Sequence, residues 1–529
     1  MLNTPRSYRG MVTAPHHLAA QAGLAVLRDG GNAVEAAVAT AAALAVVYPH
    51  MTGLGGDGFW LIAEPGQPPL AIDACGRSGA AVTPALYAGR GLDAVPWRGP
   101  LAAITVAGTV SGWDAALRAA APWGPPLPLV RLLEEAIFHA EHGIAVSASQ
   151  AELSAGKFAE LAPQPGFAAH YLPDGAAPHC GQRLTQPALA ATLRRLAEAG
   201  LDDFYRGALA RDIAADLAAA GSPLRLDDLN AQQALLTQPL SVELPEATLY
   251  NLPPPTQGLA SLLILALFRR LGVSEAEGFA HVHGLVEATK QAFRVRDRAV
   301  CDPQHLPGEP ATWLHADVLE SLAADIDPAR ALPWPAPPGG GDTVWLGAID
   351  AAGRAVSFIQ SVFFEFGSGV VLPQSGLCWQ NRGASLSLAP GALNPLAPGR
   401  KPFHTLNPAL ARFRDGRLMS YGTMGGEGQP QTQAAVFSRY ALFGQPLQQA
   451  VSAPRWLLGR TWGEASVTLK LEDRFAPELV SALRAAGHAL EILPAFTSTM
   501  GHAGALVRHA DGLLEGASDP RSDGVVAAW

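Results

Sequence analysis

Residues 331–341 read Ala-Leu-Pro-Trp-Pro-Ala-Pro-Pro-Gly-Gly-Gly, with four prolines and three glycines in eleven positions. Proline removes backbone donors and glycine adds backbone freedom, so no helix or strand runs through this segment; it is predicted to be an exposed, extended linker. The chain changes texture across it. Upstream, apolar residues recur every three to four positions, which predicts helices over Leu18–Arg28, Ala33–Val47, Leu129–His142, Pro187–Ala199, Leu259–Leu271 and Ala280–Ala299. Extended runs interrupt them at Gly58–Ala63, Leu70–Asp73 and Leu240–Tyr250. Downstream, Thr343–Ile349 and Ala355–Val362 flank a glycine-containing turn and predict a β-hairpin, with further strands at Ala409–Phe413, Leu418–Thr423, Ser466–Leu471 and Ala503–Arg508. Helices interleaved with strands make an α/β architecture.

A linker that merely joins two domains does not explain the residue pair at its end. Asp342-Thr343 places a hydroxyl at the first position of a buried-looking strand. Were the Asp342–Thr343 bond cut, Thr343 would carry a free α-amine, whose ordinary pKa is about 7.7–8, on the same residue as its hydroxyl. That amine can take the hydroxyl proton, so a nucleophile is assembled without a separate histidine or carboxylate.

The rest of the composition excludes other classes. The net charge of −9 argues against nucleic acid as a partner, since phosphate binding needs a local surplus of Lys and Arg. Arg294–Arg298, the longest basic cluster, alternates with apolar residues and reads as the polar face of a helix. Four cysteines lie far apart without C-x-x-C spacing, which argues against zinc ribbons, thioredoxin chemistry and a disulfide scaffold. Ala33–Val47 contains Glu35 and is too short to span a bilayer, and Met1–Arg6 lacks the order of a secretory signal. A cytoplasmic protein that contacts no membrane is the expectation.

Motifs along the chain then add up. Gly30-Gly-Asn-Ala-Val-Glu-Ala36, Pro49-His-Met-Thr-Gly-Leu-Gly-Gly-Asp-Gly-Phe59, Gly108-Thr-Val-Ser-Gly112 and Leu252-Pro-Pro-Pro-Thr-Gln-Gly258 precede the linker. Phe366-Gly-Ser-Gly369, Gly425-Gly426 and Gly516-Ala-Ser-Asp-Pro-Arg-Ser522 come after it. In this order they resemble the γ-glutamyltransferase family of N-terminal-nucleophile hydrolases over nearly the whole chain. The resemblance implies an αββα sandwich made as a precursor that cleaves itself into residues 1–342 and 343–529, which together form one structural domain. It implies Thr343 as the catalytic nucleophile, Ser361 as a supporting hydroxyl (usually Thr in the family), and the N–H groups of Gly425 and Gly426 as the oxyanion hole. No cofactor and no metal are implied; association of the processed pair into a homo-oligomer is left open. Glu427 is a further candidate for holding the Thr343 amine, beside its reading as a solvated acid.

The departures from the family pattern bear on the substrate. A γ-glutamyl donor brings an ammonium, which needs a carboxylate partner, because an unpaired buried charge is costly. Typical members supply it from a Gln-x-x-Asp-Phe segment; here the stretch is Trp379-Gln-Asn-Arg-Gly-Ala-Ser-Leu386, and no acid lies between Gly367 and Pro390. The family's paired serines are replaced by His404 and Thr405, which can still hydrogen-bond a substrate. Trp345, Phe363 and Trp379 can fill the volume of a glutamyl chain, although strand aromatics more often face a core. A substrate carboxylate calls for the planar fork of arginine. Arg77, near the family's carboxylate-binding position, is the first choice and Arg382 the second.

Thr-Val-Trp-Leu after the linker, Trp-Gln-Asn-Arg-Gly-Ala-Ser and Phe-His-Thr-Leu-Asn-Pro are most similar to the family's oxamate amidohydrolase branch, which serves purine-ring nitrogen catabolism. The resemblance implies a small carboxylate-bearing amide as substrate. A γ-glutamyltransferase or glutathione hydrolase, a cephalosporin-acylase-like amidase and a non-catalytic binding protein are the alternatives. Gly53–Gly58 lacks the Lys-Ser/Thr of a phosphate loop and contains Asp57, which would repel phosphate; tight backbone packing is the better reading. His281 and His283, two apart on a helix, point in different directions and predict no metal site, and His16-His17 reads as a surface loop or helix start.

Overall fold

The computed structural model describes residues 3–334, 342–459 and 466–529; residues 335–341 of the expected linker lie outside them. Two seven-stranded sheets stack face to face. The first runs, in spatial order, Val525–Ala528, Met11–Ala14, Asp342–Ile349, Ala355–Phe363, Asp57–Ala63, Leu70–Ala74 and Leu235–Thr237. The second runs Arg6–Ser7, Leu514–Ser518, Ala503–Arg508, Leu418–Thr423, Ala409–Phe413, Ala247–Asn251 and Leu240–Glu243. Side chains from both, including Phe59, Trp345, Ile359, Leu410 and Leu506, fill the space between them.

Helices cover the outer faces. Helix Ala33–Val47 is buried along its whole length against the first sheet, so its alanines leave room for close packing. Its motif has a local cause. Asn32 caps the first turn through Oδ1, and Glu35 returns the bond to the Asn32 N–H at 2.8 Å, a capping box. Helices Gly258–Arg270, Phe279–Ala299 and Gln429–Phe437 cover the second sheet. The layers are therefore αββα, as expected, and strands from both sides of the linker interleave in each sheet.

Most predicted elements stand close to their expected bounds, with one division. Leu240–Tyr250 is a hairpin of Leu240–Glu243 and Ala247–Asn251, because Pro245 lacks the N–H that would continue the ladder. Among the described residues no helix is long and apolar enough to cross a membrane. The glycines of residues 53–58 serve close backbone approach: a Cβ on Gly55 would come within 2.2 Å of the Cys378 carbonyl oxygen, and one on Gly56 within 2.0 Å of the Ser361 oxygen.

Candidate active site

Strand Asp342–Ile349 pairs with Ala355–Phe363, and the register breaks at Thr343. Asp342 faces Phe363 while Val344 faces Gln360, so Thr343 alone spans Ser361 and Val362. A bulge of this kind re-aims the side chain at the end of a ladder. Thr343 is fully buried, and its Oγ1 accepts from Gln429 Nε2 at 3.3 Å. Gln429 cannot turn over, because its Oε1 already accepts from Asn407 N–H at 3.2 Å and Asn407 Nδ2 at 3.1 Å. Ser361 sits across the bulge, where its Oγ accepts from the Phe363 N–H at 2.8 Å.

Gly425 and Gly426 follow strand Leu418–Thr423 after Met424 and lead through the 3-10 turn Gly426–Gly428 into helix Gln429–Phe437. Their φ angles of 116° and 53° lie where side chains are strained, so glycine is required. Among the described residues neither N–H has a partner, which suits an oxyanion hole. Gln257 Nε2 holds the Gly426 carbonyl at 2.9 Å and the Thr405 carbonyl at 2.8 Å, while its Oε1 accepts from Arg296 Nη1 at 3.2 Å. Arg296 is not on a solvated helix face, as its charge suggested. It is buried, 3.7 Å from Glu427, which is itself buried rather than solvated.

The two arginines part company. Arg77 is a third exposed and donates to the Gly399 carbonyl at 2.8 Å, with Asp302 3.4 Å away. Arg382 is fully buried, and among the described residues no carboxylate lies within 4.0 Å of it. Its Nη2 donates to Thr405 Oγ1 at 3.2 Å, and its Cζ lies 3.6 Å from the Phe363 ring centre. Burial pushes its pKa down to about 9, with Asp57 the main opposing influence. The structure thus brings Arg382, His404 and Thr405 together and leaves Arg77 tied to its own surface contacts.

Two neighbours carried no expected role. Asp57, read only as a phosphate repellent, meets His404 Nε2 through its Oδ2 at 2.9 Å. Cys75 lies with Asp57 and His404, their ligand-type atoms within 4.8 Å of one another. A buried acid in a glycine-dense motif was the available signal for Asp57, and Gln257 stood in the Leu252–Gly258 motif without a role; nothing marked Cys75 or Gln429. Asp57 already accepts three donors on Oδ1 and meets His404 on Oδ2, and Arg382 and Lys401 are close enough to depress the His404 pKa, so this trio is poorly suited to a cation. His283, Glu287 and His488 form a second such group, but Lys290 Nζ holds Glu287 at 2.7 Å. His281 and His283 diverge as expected, towards Ser438 and His488. His16 caps helix His17–Arg28.

Of the three aromatics expected to fill a glutamyl volume, Phe363 lines a cavity of about 880 Å³ that Phe403 and Arg296 also line, and neither Trp345 nor Trp379 is among the residues around it. Trp345 lies between the sheets, its Nε1 donating to Ser357 Oγ at 2.9 Å, and Trp379 is buried in the outer core with Nε1 on the Thr105 carbonyl at 3.0 Å. Both are core residues, because their rings have apolar surface to cover on every side.

Known proteins resemble this chain along nearly its whole length. The chain is 57% identical over 524 residues to an oxamate amidohydrolase proenzyme of Klebsiella pneumoniae, covering 99% of each chain. It is 41% identical to a glutathione hydrolase-like YwrD proenzyme of Bacillus subtilis, covering 97% of each. Cephalosporin acylase from Bacillus halodurans superposes with a TM-score of 0.91 at 31% identity, covering 100% of this chain and 97% of the other. The model of the gamma-glutamyltranspeptidase family matches residues 19–529. A buried threonine on a sheet bulge, a glycine pair with open N–H groups and an αββα sandwich matched along this length lead to one conclusion: the chain belongs to the gamma-glutamyltranspeptidase family, with the fold of an N-terminal-nucleophile hydrolase.

Proposed function

We propose that this protein is an amidohydrolase that converts oxamate to oxalate and ammonia after its own Asp342–Thr343 bond is cut. The observation that carries this reading is Arg382, a buried guanidinium with no carboxylate within salt-bridge distance among the described residues. Such a site favours a small anion, and the stretch without acids from Gly367 to Pro390 gives a substrate ammonium no partner. The Klebsiella relative's name points to the same substrate.

In this reading Arg382 and Thr405 hold the carboxylate of oxamate and bring the adjacent amide carbon to Thr343. The free α-amine of Thr343 takes the Oγ proton as Oγ attacks, and the Gly425 and Gly426 N–H groups receive the developing oxyanion. Collapse expels ammonia, which carries away the proton held by the amine, and leaves an oxalyl ester on Thr343. Water, deprotonated by the same amine, then releases oxalate. Ser361 faces the bulge and steadies the turn that aims Thr343. Residues 1–342 and 343–529 stay together after cleavage, since both sheets contain strands from each. A cytoplasmic setting in purine-ring nitrogen catabolism fits this chemistry.

Ammonia release from oxamate, set beside nitroaniline release from γ-glutamyl-p-nitroanilide, tests the assignment. Turnover of oxamate alone is expected; turnover of the γ-glutamyl compound alone would overturn it.

A further inference from the structure

Two polar atoms of the Arg382 cluster are buried without a hydrogen-bond partner among the described residues: Arg382 Nε and His404 Nδ1. The first can only donate. The second donates or accepts according to where the ring carries its proton. Arg382 brackets His404 along the chain, with Nη1 3.5 Å from the Phe403 carbonyl and Nη2 3.2 Å from Thr405 Oγ1.

Asp57 decides the position of that proton. Its Oδ1 receives the Gly76 N–H at 3.0 Å, the Gly108 N–H at 3.0 Å and Gln380 Nε2 at 3.1 Å. The Gln380 amide is oriented by the same nitrogen's 2.9 Å bond to the Val106 carbonyl. Three donors converge on Oδ1 and Arg382 is close, which favours the carboxylate, while burial raises its pKa to about 7; at pH 8 the ionised form, with no proton to give, is the major one. The 2.9 Å contact between Oδ2 and His404 Nε2 is then a bond donated by Nε2–H. Burial, with Arg382 and Lys401 nearby, holds the ring neutral, so Nδ1 keeps a bare lone pair.

We propose that Asp57 is a positioning residue that locks His404 as the Nε2–H tautomer, so that the Arg382–His404 pair selects ligands carrying an N–H donor beside a carboxylate. The inference rests on the amidohydrolase reading and deepens it. Oxamate satisfies both open atoms, its carboxylate meeting Arg382 and its amide N–H meeting Nδ1. Oxalate has no N–H, so its second carboxylate meets the lone pair. One ring thereby favours the substrate and disfavours the product.

The Asp57→Asn substitution reverses the tautomer. The carboxamide oxygen can still accept from Gly76 and Gly108, while its nitrogen donates to Nε2 and moves the ring proton to Nδ1. In processed enzyme at pH 8 the inhibition constant of oxalate should fall about tenfold and the KM for oxamate rise about tenfold, the scale of one exchanged hydrogen bond to a charged group. A merely structural role would move both ligands the same way, and that result would overturn the inference. Should the variant fail to process, the ¹⁵N resonances of His404 in the unsubstituted protein at pH 8 decide the matter: an unprotonated Nδ1 supports the inference and a protonated one sinks it. Failure of the unsubstituted enzyme to hydrolyse oxamate would instead count against the proposed function, and the same ¹⁵N measurement would still judge the tautomer.

Discussion

Arg382 lies over Phe363 with its guanidinium carbon 3.6 Å from the ring centre, and Phe363 stands opposite Asp342 in the hairpin register. One residue therefore stacks its ring on the buried cation and pairs its backbone with the residue that precedes the nucleophile. Phe363 adopts this position at φ 85°, a conformation that costs an aromatic residue on the order of 1–3 kcal/mol. The N–H bond to Ser361 Oγ offsets part of that cost and ties the strained residue to the bulge.

The stacking distinguishes the two arginines offered by the sequence. Lysine has neither a flat face for Phe363 nor a fork for a carboxylate. Arg382→Lys should raise the KM for oxamate by at least about tenfold, as expected when a bidentate charged contact is lost. Arg77→Ala, at a partly exposed site, should change it by less than about threefold. Steady-state kinetics on both variants checks this, and a larger effect at Arg77 would exchange the two assignments.

Thr343 carries two outcomes at once. Thr343→Ala removes the hydroxyl needed for chain cleavage and for turnover, so denaturing electrophoresis should show one intact chain and ammonia release should be absent. Thr343→Ser keeps the hydroxyl and should retain both, more slowly, because serine lacks the methyl that restricts χ1 on the bulge. Two bands from Thr343→Ala would remove this residue from the mechanism.

How far the sequence disclosed this arrangement depended on whether chemistry was local. The helix starting at Ala33 was legible because its cap and its apolar period lie within one segment. The hairpin that carries Thr343 was legible for the same reason. Arg382 was ranked below Arg77 because burial comes from distant segments: Phe363, Phe403 and Thr405 surround it, and no spacing rule connects them. Asp57 was given no place in the site since its partner, His404, is 347 positions away. Trp345 drew attention to the site merely by its place near the nucleophile, yet strand alternation turns it between the sheets.

Gln257 offers a test of the oxyanion turn that leaves the carboxylate anchor in place. Its amide grips the carbonyls of Gly426 and Thr405, and Arg296 fixes its other end. Gln257→Leu keeps similar bulk but frees the Gly426 peptide, which should lower kcat by about 10–100-fold, less than or equal to the loss of a whole oxyanion donor. The KM should change little, because the interaction matters mainly in the transition state. A rise in KM with kcat unchanged would show that Gln257 supports binding through Thr405 instead.

Acid should unfold this protein sooner than its carboxylates alone would require. Burial drives His16, His281 and His488 down to about 3, His502 to about 4, and His50 and His404 well below the usual imidazole range. A histidine with a lowered folded-state pKa stays neutral in the native protein but protonates in the unfolded chain below about 6.5, so the unfolded state binds more protons and stability falls as pH falls. Asp57 works in the opposite direction: burial raises it to about 7, and its ionisation costs stability as pH rises from about 4 towards 7. Burial raises Asp114, Asp350 and Asp523 in the same sense, and the six rings outnumber these four carboxyls. Each fully titrating ring contributes a slope of about 1.4 kcal/mol per pH unit, so even a few would exhaust a typical stability of about 5–15 kcal/mol between pH 6.5 and 4.5. Thermal unfolding monitored at pH 7.5, 6.5, 5.5 and 4.5 should show a Tm nearly level over the first step and falling steeply over the next two. A Tm that held level down to pH 4.5 would mean that these rings are already solvated in the native protein, and the buried, neutral His404 on which the pocket's acceptor depends would fall with them.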